Sequence, residues 1–120
     1  MSSKDYPLVT ILLPVYNCET FIKSSIDSLL QQDYPNFEII AINDGSTDRS
    51  LQEIQKFSDP RIQVIDQENI GLAKSLNKGL ALARGEFIAR QDHDDLSLPS
   101  RLRQQVVFLL DNPDTVLVGC

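Results

Sequence analysis

Four amphipathic stretches alternate with five short apolar runs along this chain, and that alternation limits the fold more than any other feature. The runs span residues 9–14, 37–42, 62–65, 87–90 and 116–118 and are rich in β-branched side chains. Continuous apolar runs of this length read as strands buried on both faces, the usual state of a parallel sheet. Between them, Phe21, Ile22, Ile26, Leu29 and Leu30 recur at helical spacing, as do Leu51, Ile54 and Phe57. Leu72, Leu76 and Leu80 stack four apart in a third helix, expected from about Leu72 to Ala83. A fourth begins near Pro99, which suits a first helical turn, with Leu102, Val106, Leu109 and Leu110 facing inward. Proline at 35 and 60 stops the first two helices, and Ser46 or Thr47 is placed to cap the second. Strands and helices in this order build βαβ units. The expected fold is α/β, a mostly parallel sheet with helices on both faces.

Composition removes several function classes. A chain of 120 residues with 42% hydrophobic and 23% charged residues is of ordinary globular make-up and supports one core. Acidic residues outnumber basic ones 17 to 11, the net charge is −6, and no lysine or arginine run occurs, so a nucleic-acid-binding face is not expected. The polar start of the chain is no signal peptide, and no apolar stretch approaches the roughly 20 residues of a membrane span. Cys18 and Cys120 form neither a disulfide framework nor a metal knuckle. A reducing cytoplasmic setting is the expectation, with membrane association left open for a longer protein. Residues 1–6 read as a disordered N-terminal extension and 7–120 as one domain.

In an open parallel sheet, ligands bind beyond the carboxyl ends of the strands. The residues following the runs are Tyr16-Asn17, Asn43-Asp44-Gly45-Ser46, Gln67-Glu68-Asn69-Ile70-Gly71 and Asp92-His93-Asp94-Asp95. Three aspartates within four positions repel one another unless a cation neutralises them, and Mg²⁺ or Mn²⁺ is held by one or two carboxylates plus phosphate oxygens. A solvated acidic turn before the last helix is the plainer reading. Asp44 serves either turn and cap chemistry or a nucleobase or ribose; Tyr16 either packs in the core or stacks on a base. His93, the only histidine, reads as an exposed neighbour or a phosphate contact, and Cys18, near a helix start that would lower its pKa, as an incidental thiol. The glycines give neither a G-x-G nor a P-loop pattern, the loop at Asp92 has Ser97 and Arg103 where a calcium-binding loop needs glycine and glutamate, and no acidic residue follows the first run as a phosphate receiver requires.

Taken together, segments 9–17, 43–48, 69–77 and 84–95, with Leu98-Pro99-Ser100-Arg101-Leu102 and Gln105, resemble the family 2 glycosyltransferases of the GT-A fold from about Pro7 to Cys120. The resemblance implies a Rossmann-like GT-A nucleotide-binding half. Pro14, Tyr16 and Asn17 would line the nucleotide pocket, Asp44 would recognise the base, usually uracil, and Gly71 would border the nucleotide. Asp92-His93-Asp94 matches the family's Asp-x-Asp motif. By that resemblance its carboxylates would meet the ribose and, chiefly through Asp94 with Asp92 assisting, a divalent Mn²⁺ or Mg²⁺ on the diphosphate. Asn43 stands where an aspartate is commoner, and His93 where a small residue is usual. The resemblance further implies an inverting transfer from a nucleotide-diphosphate sugar, UDP-linked, to a saccharide or other acceptor in polysaccharide or cell-surface glycan synthesis. No residue here matches the family's carboxylate base, expected beyond Cys120, so the chain reads as the truncated donor-binding half of a longer enzyme, open to self-association at its cut edge. The alternatives are a non-catalytic nucleotide-binding or assembly domain and, less well supported, a Mg²⁺-dependent phosphotransferase using Asp92 and Asp94.

Overall fold

The computed structural model describes residues 6–112; the fifth expected strand, at 116–118, and Cys120 lie outside them. The strands are β1 (Val9–Val15), β2 (Phe37–Asp44), β3 (Ile62–Gln67) and β4 (Phe87–Arg90), and the helices α1 (Ile22–Leu30), α2 (Ser50–Gln55), α3 (Leu72–Leu82) and α4 (Arg101–Asp111). All pairings are parallel, in the order β3-β2-β1-β4. Pleat alternation divides the apolar side chains between two layers. Val9, Ile11, Leu13 and Val15 of β1 pack with Ile22, Ile26 and Leu29 of α1, Ile54 of α2, and Leu102 and Val106 of α4. On the other face Leu12, Ile40 and Ile42 meet Ile65, Leu76 and Ala83. The sheet is therefore covered by helices on both faces. Tyr6, the last residue of the expected extension, packs edge-on against Tyr34 with ring centroids 5.4 Å apart.

Several helical details differ from expectation. Leu72 and Leu80 are 51% and 48% exposed, and the buried positions of α3 are Ser75 and Gly79. A four-residue step overshoots a helical turn by about 40°, so three leucines so spaced drift off any one face. Small residues let α3 lie close: a Cβ on Gly79 would stand 2.9 Å from the ends of Leu12 and Ile42. Phe21 precedes α1 and is exposed, and Leu110 of α4 is exposed too. Helix α4 starts at Arg101 rather than Pro99, whose carbonyl instead accepts the Asp33 N–H. Neither Ser46 nor Thr47 caps α2; its N-cap position is Arg49, and Asp48 just before it accepts the N–H of Ser50, the first helical residue, at 2.9 Å.

At the amino ends of the strands a polar cluster ties three elements together. Glu38 of β2 is buried and accepts from the Thr10 hydroxyl at 2.6 Å and the Arg84 N–H at 3.0 Å, while the Arg84 guanidinium forms an ion pair at 2.8 Å. The Gly85 N–H donates to Thr10 Oγ1 at 2.9 Å, locking the start of β4 to β1. Burial alone would raise the Glu38 pKa, but the Thr10 and Arg84 donors outweigh it and hold the group below the ordinary glutamate value. Asp44 and Asp48 are lowered in the same way. Carboxyls lowered in the folded state bind protons more readily once unfolded, so their stabilisation is complete above the ordinary carboxylate range and lost as pH falls through the folded values. Urea midpoints measured from about pH 7 down to about pH 3 are expected to fall steadily, and Glu38→Gln to lie below wild type at neutral pH and converge with it in acid. Parallel curves for the two proteins would exclude Glu38 as a source of the slope.

Candidate functional site

The chain leaves β1 toward β2 and β3 on one side, while β4 pairs with β1 on the other. That reversal opens a crevice between the carboxyl ends of β1 and β4, where ligands of open α/β sheets settle. Pro14 marks it. Leu12 is the last β1 residue in register with β4, and its carbonyl accepts the Gln91 N–H at 3.0 Å. Two residues on, the backbone of Pro14 faces the same side, where β4 has ended, so a residue lacking an N–H costs the ladder nothing. Tyr16 follows at 45% exposure, which places it on the rim and not in the core.

Asn17 has φ 47°, a left-handed conformation that asparagine tolerates. Its side-chain oxygen accepts the Thr47 N–H at 2.8 Å, and its own N–H donates to Ser46 Oγ at 3.0 Å. The Glu19 N–H donates to Asp48 at 3.2 Å. These bonds lace the loop after β1 to the loop after β2, so the structure gives Asn17 a bracing role.

Asp44 ends β2 buried, on the face shared with α3. One carboxylate oxygen accepts the Ile70 N–H at 2.7 Å and the Gln67 amide at 3.1 Å; the other accepts the Gly71 N–H at 3.1 Å. Burial would raise its pKa, but donors from Ile70, Gln67, Gly71 and Ser75 together hold it below the usual aspartate range. Asp44 is thus a stable anion that organises the loop between β3 and α3. Gly71 lies in that loop at φ 92°, with open space on the side where a Cβ would project. Gly45, at φ 70°, runs against the same loop: a Cβ there would stand 2.6 Å from the Asn69 nitrogen.

In the acidic loop, Asp92, Asp94 and Asp95 are exposed and His93 is half-buried, with its Nδ1 enclosed and unpartnered. Asp92 pairs with Arg90 at 3.0 Å, and the Asp95 N–H closes a turn on the Asp92 carbonyl at 3.0 Å. Among the described residues no three His, Cys, Asp or Glu side chains gather about one point. The donor set is two exposed carboxylates two residues apart, which suits a hard cation that takes its remaining oxygens from a bound diphosphate. Asp94 stands near enough to Cys18 to act on it electrostatically. That thiol is not activated by the start of α1: burial pushes its pKa up to about 11, with Asp48 and Asp94 adding to the rise. An open cleft of about 670 Å³ beside β4, bordered by Arg90, Ser97, Arg101 and Phe108, does not include Asp44, Tyr16 or Asp94.

The four loops are legible in the sequence, but the bracing roles of Gln67, Asp48 and Gln91 within them are not. For Gln91 a signal existed, since it continues the inward alternation of Phe87 and Ala89. Among the described residues, no helix is long and apolar enough to cross a membrane.

Residues 10–120 match the model of a family described as Glycosyl transferase family 2. An uncharacterized glycosyltransferase of Haemophilus influenzae is 41% identical over 116 residues, covering 94% of this chain and 36% of the relative. The uncharacterized glycosyltransferase EpsJ of Bacillus subtilis is 41% identical over 116 residues, covering 95% of this chain and 33% of its own length. The chain thus spans about a third of these relatives. Among solved structures, S. aureus TarS 1–349 in complex with UDP superposes with a TM-score of 0.81 at 31% identity, covering 88% of this chain and 32% of that one. The mannosyltransferase PcManGT of Pyrobaculum calidifontis, in complex with GDP-Man and Mn²⁺, gives a TM-score of 0.83 at 29% identity, covering 88% and 33%.

Proposed function

The chain belongs to glycosyl transferase family 2, and from that premise we propose that it forms the donor-binding part of an inverting glycosyltransferase that uses a UDP-linked sugar. The observation that carries the reading is the convergence on one rim of Tyr16, Asp44 and its loop, and the Asp92–Asp94 pair, at the carboxyl ends of four parallel strands. The UDP and the GDP-Man with Mn²⁺ bound by the structural neighbours support it. Tyr16 presents a ring for the base to stack on. Asp44 holds the Ile70–Gly71 backbone where the nucleoside would lie, and Asp92 and Asp94 would hold the divalent cation. When bound, that cation offsets charge on the diphosphate leaving group, which an acidic rim would otherwise repel. The acceptor is proposed to be a saccharide, in cell-surface glycan synthesis.

Calorimetry with UDP and with GDP, in Mn²⁺ and in EDTA, tests the reading. UDP is expected to bind in Mn²⁺, at least about 10-fold more weakly in EDTA, and Asp94→Ala to lose about 100-fold in Mn²⁺. Equal affinity with and without metal, or an unaffected Asp94→Ala, would overturn the metal assignment. GDP binding more tightly than UDP would move the donor to a guanosine nucleotide.

A further inference from the structure

Phe87 and Ala89 of β4 point into the larger core, and the next residue on that face is Gln91, polar and only 2% exposed. A buried amide at a position that alternation makes apolar is costly unless its donors and acceptor are paired. Here Nε2 donates to the Ser25 carbonyl at 3.1 Å, to Ser25 Oγ at 2.7 Å and to the Asp95 carbonyl at 3.3 Å. Its Oε1 accepts from the Ser97 hydroxyl and from the Arg101 guanidinium. Gln91 therefore holds α1 with one end of its amide and the far limb of the acidic loop with both, while its own backbone forms the near limb. Ser28 of α1 and Gln32, just past the end of that helix, extend the grip. Ser28 Oγ accepts the Ser97 N–H at 3.0 Å, Gln32 donates to the Leu98 carbonyl at 2.7 Å, and Gln32 Oε1 accepts the Leu102 N–H at 3.0 Å.

We infer that Gln91 is a positioning residue for donor binding: bonded to Ser25, Asp95, Ser97 and Arg101, it fixes both limbs of the acidic loop so that Asp92 and Asp94 meet a divalent cation as a preformed pair. The inference rests on the metal-dependent reading above. A loop ordered in advance spares the ordering cost at the moment of binding. Groups that orient metal ligands from behind typically matter by about 10–100-fold in metal affinity.

Gln91→Met keeps the side chain's size and deletes its polar contacts; Ser97→Ala deletes one hydroxyl at the loop. UDP calorimetry in Mn²⁺, amide hydrogen exchange and thermal melting are measured on the full chain for both variants, wild type and Asp94→Ala. Gln91→Met is expected to bind UDP about 10-fold more weakly in Mn²⁺, and Ser97→Ala about 3-fold. Exchange is expected to quicken at residues 92–98 and to stay unchanged in β1 and β2. Wild-type affinity and unchanged loop exchange in Gln91→Met would overturn the inference while leaving the metal reading intact. So would a lowered melting temperature with affinity unchanged, the mark of a purely structural role. If wild type shows no Asp94-dependent gain from Mn²⁺, the metal reading fails and the inference with it. Should Gln91→Met not fold, Ser97→Ala decides by the same readouts.

Discussion

Replacing Asp44 with alanine is expected to remove UDP binding in Mn²⁺ and to lower the melting temperature by about 10 °C or more. The size follows from what the carboxylate does in the fold. It accepts the N–H groups of Ile70 and Gly71 and the amide of Gln67. Each donor left unpaired in a part-buried site costs about 1–3 kcal/mol, and the Ile70–Gly71 backbone would no longer be held at the rim. Asp44→Asn is no rescue, because its NH₂ would confront one of the two backbone N–H groups. Melting followed by circular dichroism and UDP calorimetry check both halves of the expectation. An unchanged melting temperature would remove Asp44 as the anchor of this loop; full-strength UDP binding would remove it from the site.

Gly85→Ala should destabilise the fold by about 3 kcal/mol, and Gly79→Ala by no more than about 1 kcal/mol, although both glycines meet a neighbour closer than 3.0 Å. The difference lies in what the new methyl would strike. At Gly85 it meets the Thr10 nitrogen at 2.5 Å and the Leu8 carbonyl oxygen at 2.8 Å, backbone atoms of β1 and of the residue just before it that cannot turn aside. Relief would require breaking the Gly85 bond to Thr10 and the neighbouring Glu86 N–H bond to the Leu8 carbonyl at 2.8 Å. At Gly79 it meets methyl ends of Leu12 and Ile42, which can shift, and the helix gains from losing a glycine. Paired urea titrations decide the matter: equal losses for the two variants would refute the distinction.

The strands were legible because their middles are continuous apolar runs, and their extra residues were not, for a physical reason. Asn43, Asp44, Asp66 and Gln67 prolong β2 and β3 through backbone pairing, which asks nothing of side-chain polarity. In α3, Leu76 packs against the sheet while Leu72 and Leu80 are exposed, and the buried Ser75 and Gly79 carry no apolar signal, although smallness is what lets that helix approach the sheet. For the site, Asp44 and the Asp92–Asp95 loop were visible as polar residues at the ends of buried runs. Their partners were not, since Ile70, Gly71 and Ser25 are distant in sequence and bind through backbone or small hydroxyl groups. The activated state that a helix start suggests for Cys18 gave way to burial, which only the packed structure reveals.

The position of β1 between the next strand and one far later in the chain bears on how the rim comes into being. Val9 pairs with Phe37 on one flank and with Phe87 on the other. Closing the second contact spans a far longer loop, and such non-local pairings are the slow events of folding. During synthesis, β1, β2 and β3 can join as soon as residues up to Gln67 are available, and Asp44 finds its loop partners soon after. The acidic loop can take its place only once β4 docks. The two sides of the rim therefore mature at different times, with the Asp44 side built first and the Asp92–Asp94 pair completed last.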